Sequence, residues 1–293
     1  MTGRFAPSPT GRMHLGNVFC ALLSWLSAKS QGGTWRLRIE DLDPQRSRRD
    51  LALQLMDDLQ WLGLPWDGEV VWQSERHHIY EEYLGRLTDK GLTYPCYCTR
   101  ADILATQAPH ESDGRIVYAG TCRGKLPTGE PAATRLMVPD RAIDFVDGHY
   151  GMQSVNLARH CGDYILRRKD GAWAYQLAVV VDDALMGVTE VVRGRDLLLS
   201  TPQQLHLYDT LGLAAPRFCH HPLLCNESGQ RLCKRDKSLD LGYLRSGQES
   251  SEAIIGRLAC IAGITPTPDP IAPKDLVPLF GWDEVPVGDI CLS

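Results

Sequence analysis

Hydrophobic and polar positions in the first hundred residues follow two alternating periods. Gly3 to Phe5 has the character of a short strand, and Val18 to Ala28 is an apolar stretch of helical length. Thr34 to Ile39 alternates Trp35, Leu37 and Ile39 with polar positions, as a strand does, and Leu51 to Leu62 reads as an amphipathic helix. That order predicts a parallel α/β sheet. A further helix is predicted from Glu75 to Lys90, after which Pro95 and a cysteine-rich segment break the pattern. From 95 to 170, Pro109, Gly114, Gly120, Pro127, Gly129 and Pro131 punctuate short β-like runs such as Thr134 to Val138, the signature of an inserted region. The sheet pattern then returns: Ala174 to Val181 and Val188 to Val192 read as strands, each followed by polar residues where a site could form at strand C-termini. Beyond Pro222 the chain is loop-rich, then helical from Ser251 to Ile261, and it ends in a proline-rich tail from Pro266. It shows no internal repeat and no low-complexity tract.

Composition narrows the class. At 293 residues, 43% hydrophobic and 23% charged, the chain is built like a soluble globular protein with a substantial core. No run approaches the roughly 20 apolar residues of a membrane span, and no basic segment with an apolar stretch opens the chain, so the expected location is the cytoplasm. In that compartment the ten cysteines read as reduced thiols, a few of them available to a metal. A net charge of −5 limits any nucleic-acid contact to a local basic groove.

Four segments carry candidate chemistry. In Arg4-Phe-Ala-Pro-Ser-Pro-Thr-Gly-Arg-Met-His-Leu-Gly-Asn17, Pro7 and Pro9 stiffen a loop, and Gly11 and Gly16 permit close backbone approach. His14 and Asn17 offer neutral donors at a helix start, a place built to hold phosphate. Gly229 to Ser238 concentrates lysine and arginine; alone it is an ordinary solvated basic loop, but a mobile lysine could neutralise charge developing on a phosphate. Cys96-x-Cys98 with Cys122 supplies three soft ligands where zinc normally takes four, with His110 or Asp113 as candidates for the fourth. Asp182-Asp183 is expected to cap or orient a nearby site rather than to bind metal.

The first of these strings resembles the opening of class I glutamyl-tRNA synthetases, where a strand ends in an Arg-Phe-Ala-Pro-Ser-Pro-Thr-Gly loop and leads into the "HIGH" motif, here His14-Leu15-Gly16-Asn17. Arg231-Leu-Cys-Lys-Arg235 falls in the register of that family's "KMSKS" loop, with Arg231 for its first lysine and Cys233 for its serine; the competing Lys237-Ser238 lacks the leucine two residues before the lysine. The resemblance implies a Rossmann-like parallel α/β sheet with an inserted acceptor-binding-like subdomain and a short C-terminal helical region. It divides the chain into 1–94 and 171–225 as the two halves of the catalytic domain, 95–170 as a zinc-containing insert, and 226–293 as the signature loop with a reduced stem-contact region.

It also assigns roles. His14, Asn17 and Lys234 are implied as catalytic, and with Gly16 they would bind ATP, which arrives with Mg2+. Glutamate would lie against Arg4, Phe5, Ala6, Pro7, Ser8, Glu40, Tyr175 and Arg193, with Glu40 at its ammonium, Arg4 and Arg193 at carboxylates, and Tyr175 donating a hydroxyl. For the metal the resemblance points to one structural zinc held by Cys96, Cys98, Tyr118 and Cys122. Because only residues 236–293 follow Arg235, no anticodon-binding domain is expected. This points to the truncated branch that transfers glutamate to the queuosine base in the anticodon loop of tRNA(Asp), acting as a monomer. The alternatives are a truncated enzyme charging the 3′ end of tRNA(Glu) and a non-catalytic RNA-binding relative. Arg46 to Arg49 and Arg167-Arg168-Lys169 are the basic candidates for RNA contact. Charge reversal at Arg167 and Arg168 is expected to weaken transfer to tRNA while sparing adenylate formation; equal loss of both steps, measured by tRNA glutamylation and pyrophosphate exchange, would refute that assignment.

Overall fold

The structure is a computed structural model that describes residues 1–105, 117–226, 229 and 240–292. Strand β1 (Thr2–Phe5) leads into helix α1 (Leu15–Ser30), then β2 (Thr34–Ile39), α2 (Arg49–Trp61) and the two-residue β3 (Val71–Trp72). These strands form a parallel sheet with β2 in the centre, pairing Arg4 with Arg36 and Arg38 with Val71. Helix α3 (His77–Asp89) precedes β4 (Thr93–Cys96), α4 (Arg100–Ala105), β5 (Ala133–Leu136), the hairpin of β6 (Ala142–Asp147) and β7 (Gly151–Asn156), the short α5 (Leu157–His160) and β8 (Tyr164–Arg167). Every strand pairing in this stretch is antiparallel, with β5 between β4 and β8 and the β6–β7 hairpin on its own.

Parallel pairing then resumes. Helix α6 (Tyr175–Leu185), β9 (Glu190–Gly194), α7 (Thr201–Leu211) and β10 (Arg217–His221) form a right-sized β-α-β unit in which β9 and β10 run together. The Thr189 N–H donates to the Thr2 carbonyl and the Arg4 guanidinium reaches the Val192 carbonyl, so this pair lies alongside β1. The chain closes with β11 (Leu224–Cys225), α8 (Leu241–Ser246), α9 (Ser251–Ile261), α10 (Pro273–Leu276) and β12 (Ile290–Cys291), and β12 pairs in parallel with β11.

Two cores hold these layers. The first surrounds α1, whose Val18, Phe19, Leu22, Leu23 and Leu26 are fully buried against Trp35, Leu37 and Ile39 of the sheet and Ile254, Ile255 and Leu258 of α9. A helix buried on nearly all sides explains why Val18 to Ala28 shows little amphipathic period. The second core joins Tyr80 and Leu87 of α3, Leu177 to Val181 of α6 and Leu207 of α7.

One expectation is overturned. Ala174 to Val181 is not a strand: Ala174 is the N-cap of α6, which continues to Leu185. Its seven residues from Leu177 to Asp183 are all buried, so the run lacks the polar interruptions that reveal a helix, and packing against α3 and α7 overrides the β-preference of Val179 to Val181. The other apolar run, Val188 to Val192, does enter a strand, β9. All described cysteines are free thiols. Among the described residues, no helix is long and apolar enough to cross a membrane.

Candidate active site

The loop between β1 and α1 is fastened at its prolines. Pro7 and Pro9 have no N–H to donate, but their carbonyls accept from the Glu40 and Arg48 N–H groups at 3.0 and 3.1 Å, which ties the loop to the chain leaving β2. Helix α1 then starts with a reciprocal cap. His14 Nδ1 accepts from the Gly16 N–H at 3.1 Å, and Asn17 Oδ1 accepts from the His14 N–H at 3.1 Å. A Cβ on residue 16 would lie 2.9 Å from the His14 ring, so only glycine lets the ring fold over the helix start. With Nδ1 accepting, a neutral His14 carries its proton on Nε2, and Asn17 keeps its amide N–H2 as the donor end.

Below the loop lies a buried ionic network. Arg38 of β2, fully buried, donates to Asp183 of α6 at 2.5 Å and to Glu40 at 3.1 Å. Arg4 Nε lies 3.4 Å from the same Asp183. Asp182 faces the other way, accepting from Arg76 at 2.6 Å, Gln73 at 2.7 Å and the Tyr80 hydroxyl at 2.8 Å. The acidic pair thus serves guanidinium groups, as an orienting role requires. Burial opposes ionisation of Asp183, but the charges of Arg38 and Arg4 outweigh it and hold this carboxyl below its usual range. Burial dominates for Glu40, which is pushed up despite Arg38.

Arg193 is held differently. It is 4% exposed, and among the described residues no carboxylate forms an ion pair with it. Neutral acceptors surround it instead: Nε donates to His220 Nε2 at 3.0 Å, Nη1 to Gln204 Oε1 at 2.8 Å, and Nη2 to the Thr201 hydroxyl at 2.8 Å. The Tyr175 hydroxyl, at the first turn of α6, sits 3.4 Å from Nη1. Burial pulls the Arg193 pKa down. With Glu40 ionised, the guanidinium groups of Arg4, Arg38, Arg76 and Arg193 face the carboxylates of Glu40, Asp182 and Asp183, and a fourth carboxylate, Asp147, stands behind His220.

These groups line one cavity of about 490 Å³. Arg4, Phe5, Ala6, Pro7, Ser8, Glu40, Tyr175 and Arg193 are in its wall, as are His14, Gly16 and Asn17. Lys234, with the rest of the loop from 230 to 239, lies outside the described residues. Sequence reasoning missed His221, which also lines the cavity: burial pulls its pKa down to about 4, its Nδ1 is 2.8 Å from the Pro222 carbonyl, and its Nε2 has no partner among the described residues. It missed Arg38, Thr201, Gln204 and His220 as well. Arg38 occupies a regular polar position of an alternating strand, so nothing local marked it as buried.

The cysteine constellation sits at the end of β4. Tyr118 Oη is 3.4 Å from Cys96 Sγ and 3.9 Å from Cys98 Sγ, Cys98 and Cys122 sulfurs are 3.5 Å apart, and the three thiols lie within 4.8 Å of one another. Ligands at about 2.3 Å around a tetrahedral ion are separated by about 3.8 Å, so the four groups have the dimensions of such a site. Burial disfavours the Cys122 thiolate, yet hydrogen bonds from the Tyr97 backbone, Tyr118 and the other two thiols bring it down to about 7, which suits a metal ligand. Gly162 supports Tyr118 from behind: its φ is +64°, and a Cβ there would fall 2.0 Å from the Tyr118 carbonyl oxygen. His110 and Asp113 lie outside the described residues.

Four of the basic candidates for RNA contact are paired with acids at the surface, Arg48 with Asp50, Arg49 with Glu75, Arg167 with Glu81 and Arg168 with Asp170. Such surface pairs contribute little to stability.

A parallel sheet whose first strand feeds a His-Leu-Gly-Asn helix start above an arginine-lined cavity defines a class I synthetase catalytic domain, and the family model described as "tRNA synthetases class I (E and Q), catalytic domain" matches residues 1–269. The glutamyl-Q tRNA(Asp) synthetase of Symbiobacterium thermophilum is 45% identical over 98% of this chain and 94% of its own, and that of Neisseria meningitidis serogroup C is 50% identical over 80% of each. Among solved structures, a glutamate tRNA ligase from Elizabethkingia meningosepticum in complex with its amino acid superposes with a TM-score of 0.85 at 29% identity, covering 100% of this chain and 67% of that one. The chain belongs to the class I synthetases of the glutamyl and glutaminyl branch, in the family of the glutamyl-Q tRNA(Asp) synthetases.

The Arg38–Asp183 contact gives a direct test. Asp183→Asn leaves a buried guanidinium short of a counter-charge and is expected to cost about 3–5 kcal/mol of unfolding free energy at pH 7. Because the folded carboxyl titrates below its unfolded value of about 3.9, this contribution is present above that pH and lost as pH falls through the folded value. Urea titrations of wild type and variant should converge in acid; a constant difference between pH 7 and pH 3 would refute the ionic origin.

Proposed function

We propose that this chain activates L-glutamate with ATP and transfers the glutamyl group to the queuosine base in the anticodon loop of tRNA(Asp). The observation that carries this reading is Arg193, a buried guanidinium that forms no ion pair with a carboxylate among the described residues, in a cavity shared with Arg4, Glu40 and Tyr175. Free glutamate brings two carboxylates and one ammonium group, and among the described residues Arg193 makes its hydrogen bonds to neutral acceptors alone, leaving its charge for a carboxylate. Glu40 meets its ammonium group, Arg4 and Arg193 meet carboxylates, and Tyr175 donates its hydroxyl; an incoming ammonium would bring the raised Glu40 pKa back down.

In the first step a carboxylate oxygen of glutamate attacks the α-phosphorus of ATP, the bond to pyrophosphate breaks, and glutamyl-adenylate forms. Magnesium enters with ATP. His14 through Nε2 and Asn17 through its amide donate to phosphate oxygens at the α1 N-terminus, where backbone N–H groups already favour anions. Lys234 neutralises charge on the phosphates as pyrophosphate leaves. In the second step a hydroxyl of the queuosine cyclopentenediol attacks the glutamyl carbonyl carbon and AMP departs. None of these side chains needs to form a covalent intermediate, because holding nucleophile and electrophile in line contributes on the order of 7–11 kcal/mol.

Residues 1–94 and 171–225 form the two halves of the catalytic domain, 95–170 the acceptor-binding insert, and 226–293 the signature loop and stem-contact region. The change from parallel to antiparallel pairing and back supports that division. Cys96, Cys98, Tyr118 and Cys122 hold one structural zinc that fixes the β4 end of the insert. All the assigned side chains come from one chain, so a monomer suffices, and its substrates place its work in the cytoplasm.

Mass spectrometry of tRNA(Asp) digested after incubation with the protein, glutamate and ATP should find the added glutamyl mass on the queuosine-containing anticodon fragment. Charging of unmodified tRNA(Glu) at its 3′ end would overturn the reading. Elemental analysis should find one zinc per chain, lost in Cys122→Ser; a purified wild-type protein without stoichiometric zinc would remove the metal from the account.

A further inference from the structure

Arg193 is aimed at the cavity by a chain of hydrogen bonds that begins in the inserted hairpin. Its Nε donates to His220 Nε2, so Nε2 is the acceptor and a neutral His220 carries its proton on Nδ1. That Nδ1 lies 2.5 Å from Asp147 Oδ2. The second oxygen of Asp147 accepts three backbone N–H groups, from His149 at 3.0 Å, Tyr150 at 2.9 Å and His220 at 3.2 Å. Asp147 ends β6 and is 2% exposed; His220 lies on β10 and is 0% exposed. The Gly148 N–H also donates to the Phe218 carbonyl at 2.8 Å, so the hairpin end is seated on β10 by backbone as well as by carboxylate.

We propose that Asp147 and His220 are positioning residues for Arg193: Asp147 fixes the ring tautomer and orientation of His220, whose Nε2 then holds the guanidinium edge-on toward the glutamate carboxylate. This role rests on the functional reading of Arg193 given above. Burial keeps His220 neutral, with its pKa below the ordinary histidine value, and a protonated ring would turn a donor toward Arg193. Because Asp147 belongs to the antiparallel hairpin between the two halves of the parallel sheet, the relay makes the geometry of the amino-acid site depend on the seating of that hairpin.

Asparagine at position 147 has the right shape and the wrong polarity. If its oxygen keeps the three backbone N–H groups, its amide faces His220 and drives the ring proton to Nε2, against the Arg193 N–H; if it flips, the backbone donors lose their acceptor. Asp147→Asn is therefore expected to raise the glutamate KM in pyrophosphate exchange about 10- to 100-fold, with the ATP KM and kcat changed by less than about twofold. His220→Leu should behave in the same way. His220→Gln places an amide donor toward Asp147 and a carbonyl toward Arg193, and should recover most of the lost affinity. Calorimetric titration with L-glutamate alone should rank the proteins in the same order, and the His220→Gln and His220→Leu pair decides the matter if Asp147→Asn does not fold. Equal glutamate affinity in wild type and His220→Leu would overturn the relay, as would a parallel rise in the ATP and glutamate constants. A wild-type protein that binds no glutamate would instead overturn the functional reading on which the relay rests.

Discussion

The ion pair between Arg38 and Asp183 is the contact on which the floor of the cavity depends. Leu37, Arg38 and Ile39 are all at 0% exposure, so both faces of β2 are covered at its C-terminal end and the charge of Arg38 cannot reach water. A buried guanidinium is tolerable only beside its counter-ion. That counter-ion comes from α6, which explains why the segment must be helical. Tyr175 and Asp183 are eight residues apart, about 12 Å along a helix axis; a strand would separate them by about 26 Å. Only the helix brings a hydroxyl to the cavity wall and an acid beneath it from the same segment. The misread element and the functional site are therefore one problem: the feature that hid the helix, burial on every side, is the feature that lets it compensate the arginines.

Much of the site was legible where chemistry is local in sequence. The string from Arg4 to Asn17 contains its own loop, its own cap and its own glycine, and the cap geometry is set within four residues. The Cys96-x-Cys98 spacing likewise brings two thiols together whatever the rest of the chain does. Tyr118 was reached only through a resemblance, because its position depends on Gly162 and the bridge between them, which no local pattern encodes. The groups around Arg193 were not legible at all. Thr201, Gln204, His220 and Asp147 come from α7, β10 and β6, and nothing in the residues next to any of them signals that they converge.

The pattern of compensation separates two kinds of arginine. Arg38 and Arg76 are paired with carboxylates at hydrogen-bond distance and are part of the scaffold. Arg193 is fixed by neutral acceptors, which hold its direction without consuming its charge. Holding a cation with neutral groups costs stability, since the more distant charge of Asp183 offsets its burial only in part. The cost is reasonable only where a ligand restores the balance, which is why the arrangement marks a binding site and not a structural joint.

On the proposed function, this way of holding Arg193 also sets selectivity between two substrates of nearly the same size. Glutamine matches glutamate in shape but offers a neutral amide where the side-chain carboxylate would meet a guanidinium, so its binding would leave Arg193 enclosed among neutral groups. A buried charge deprived of its partner costs about 3–5 kcal/mol, on the order of a hundred- to several-thousand-fold in affinity. Size exclusion could not supply that discrimination, because the side-chain amide and carboxylate differ by one heavy-atom substitution. The selectivity is therefore written into the way Arg193 is held, by His220, Gln204 and Thr201, which fix its direction and leave its charge to be met by the ligand.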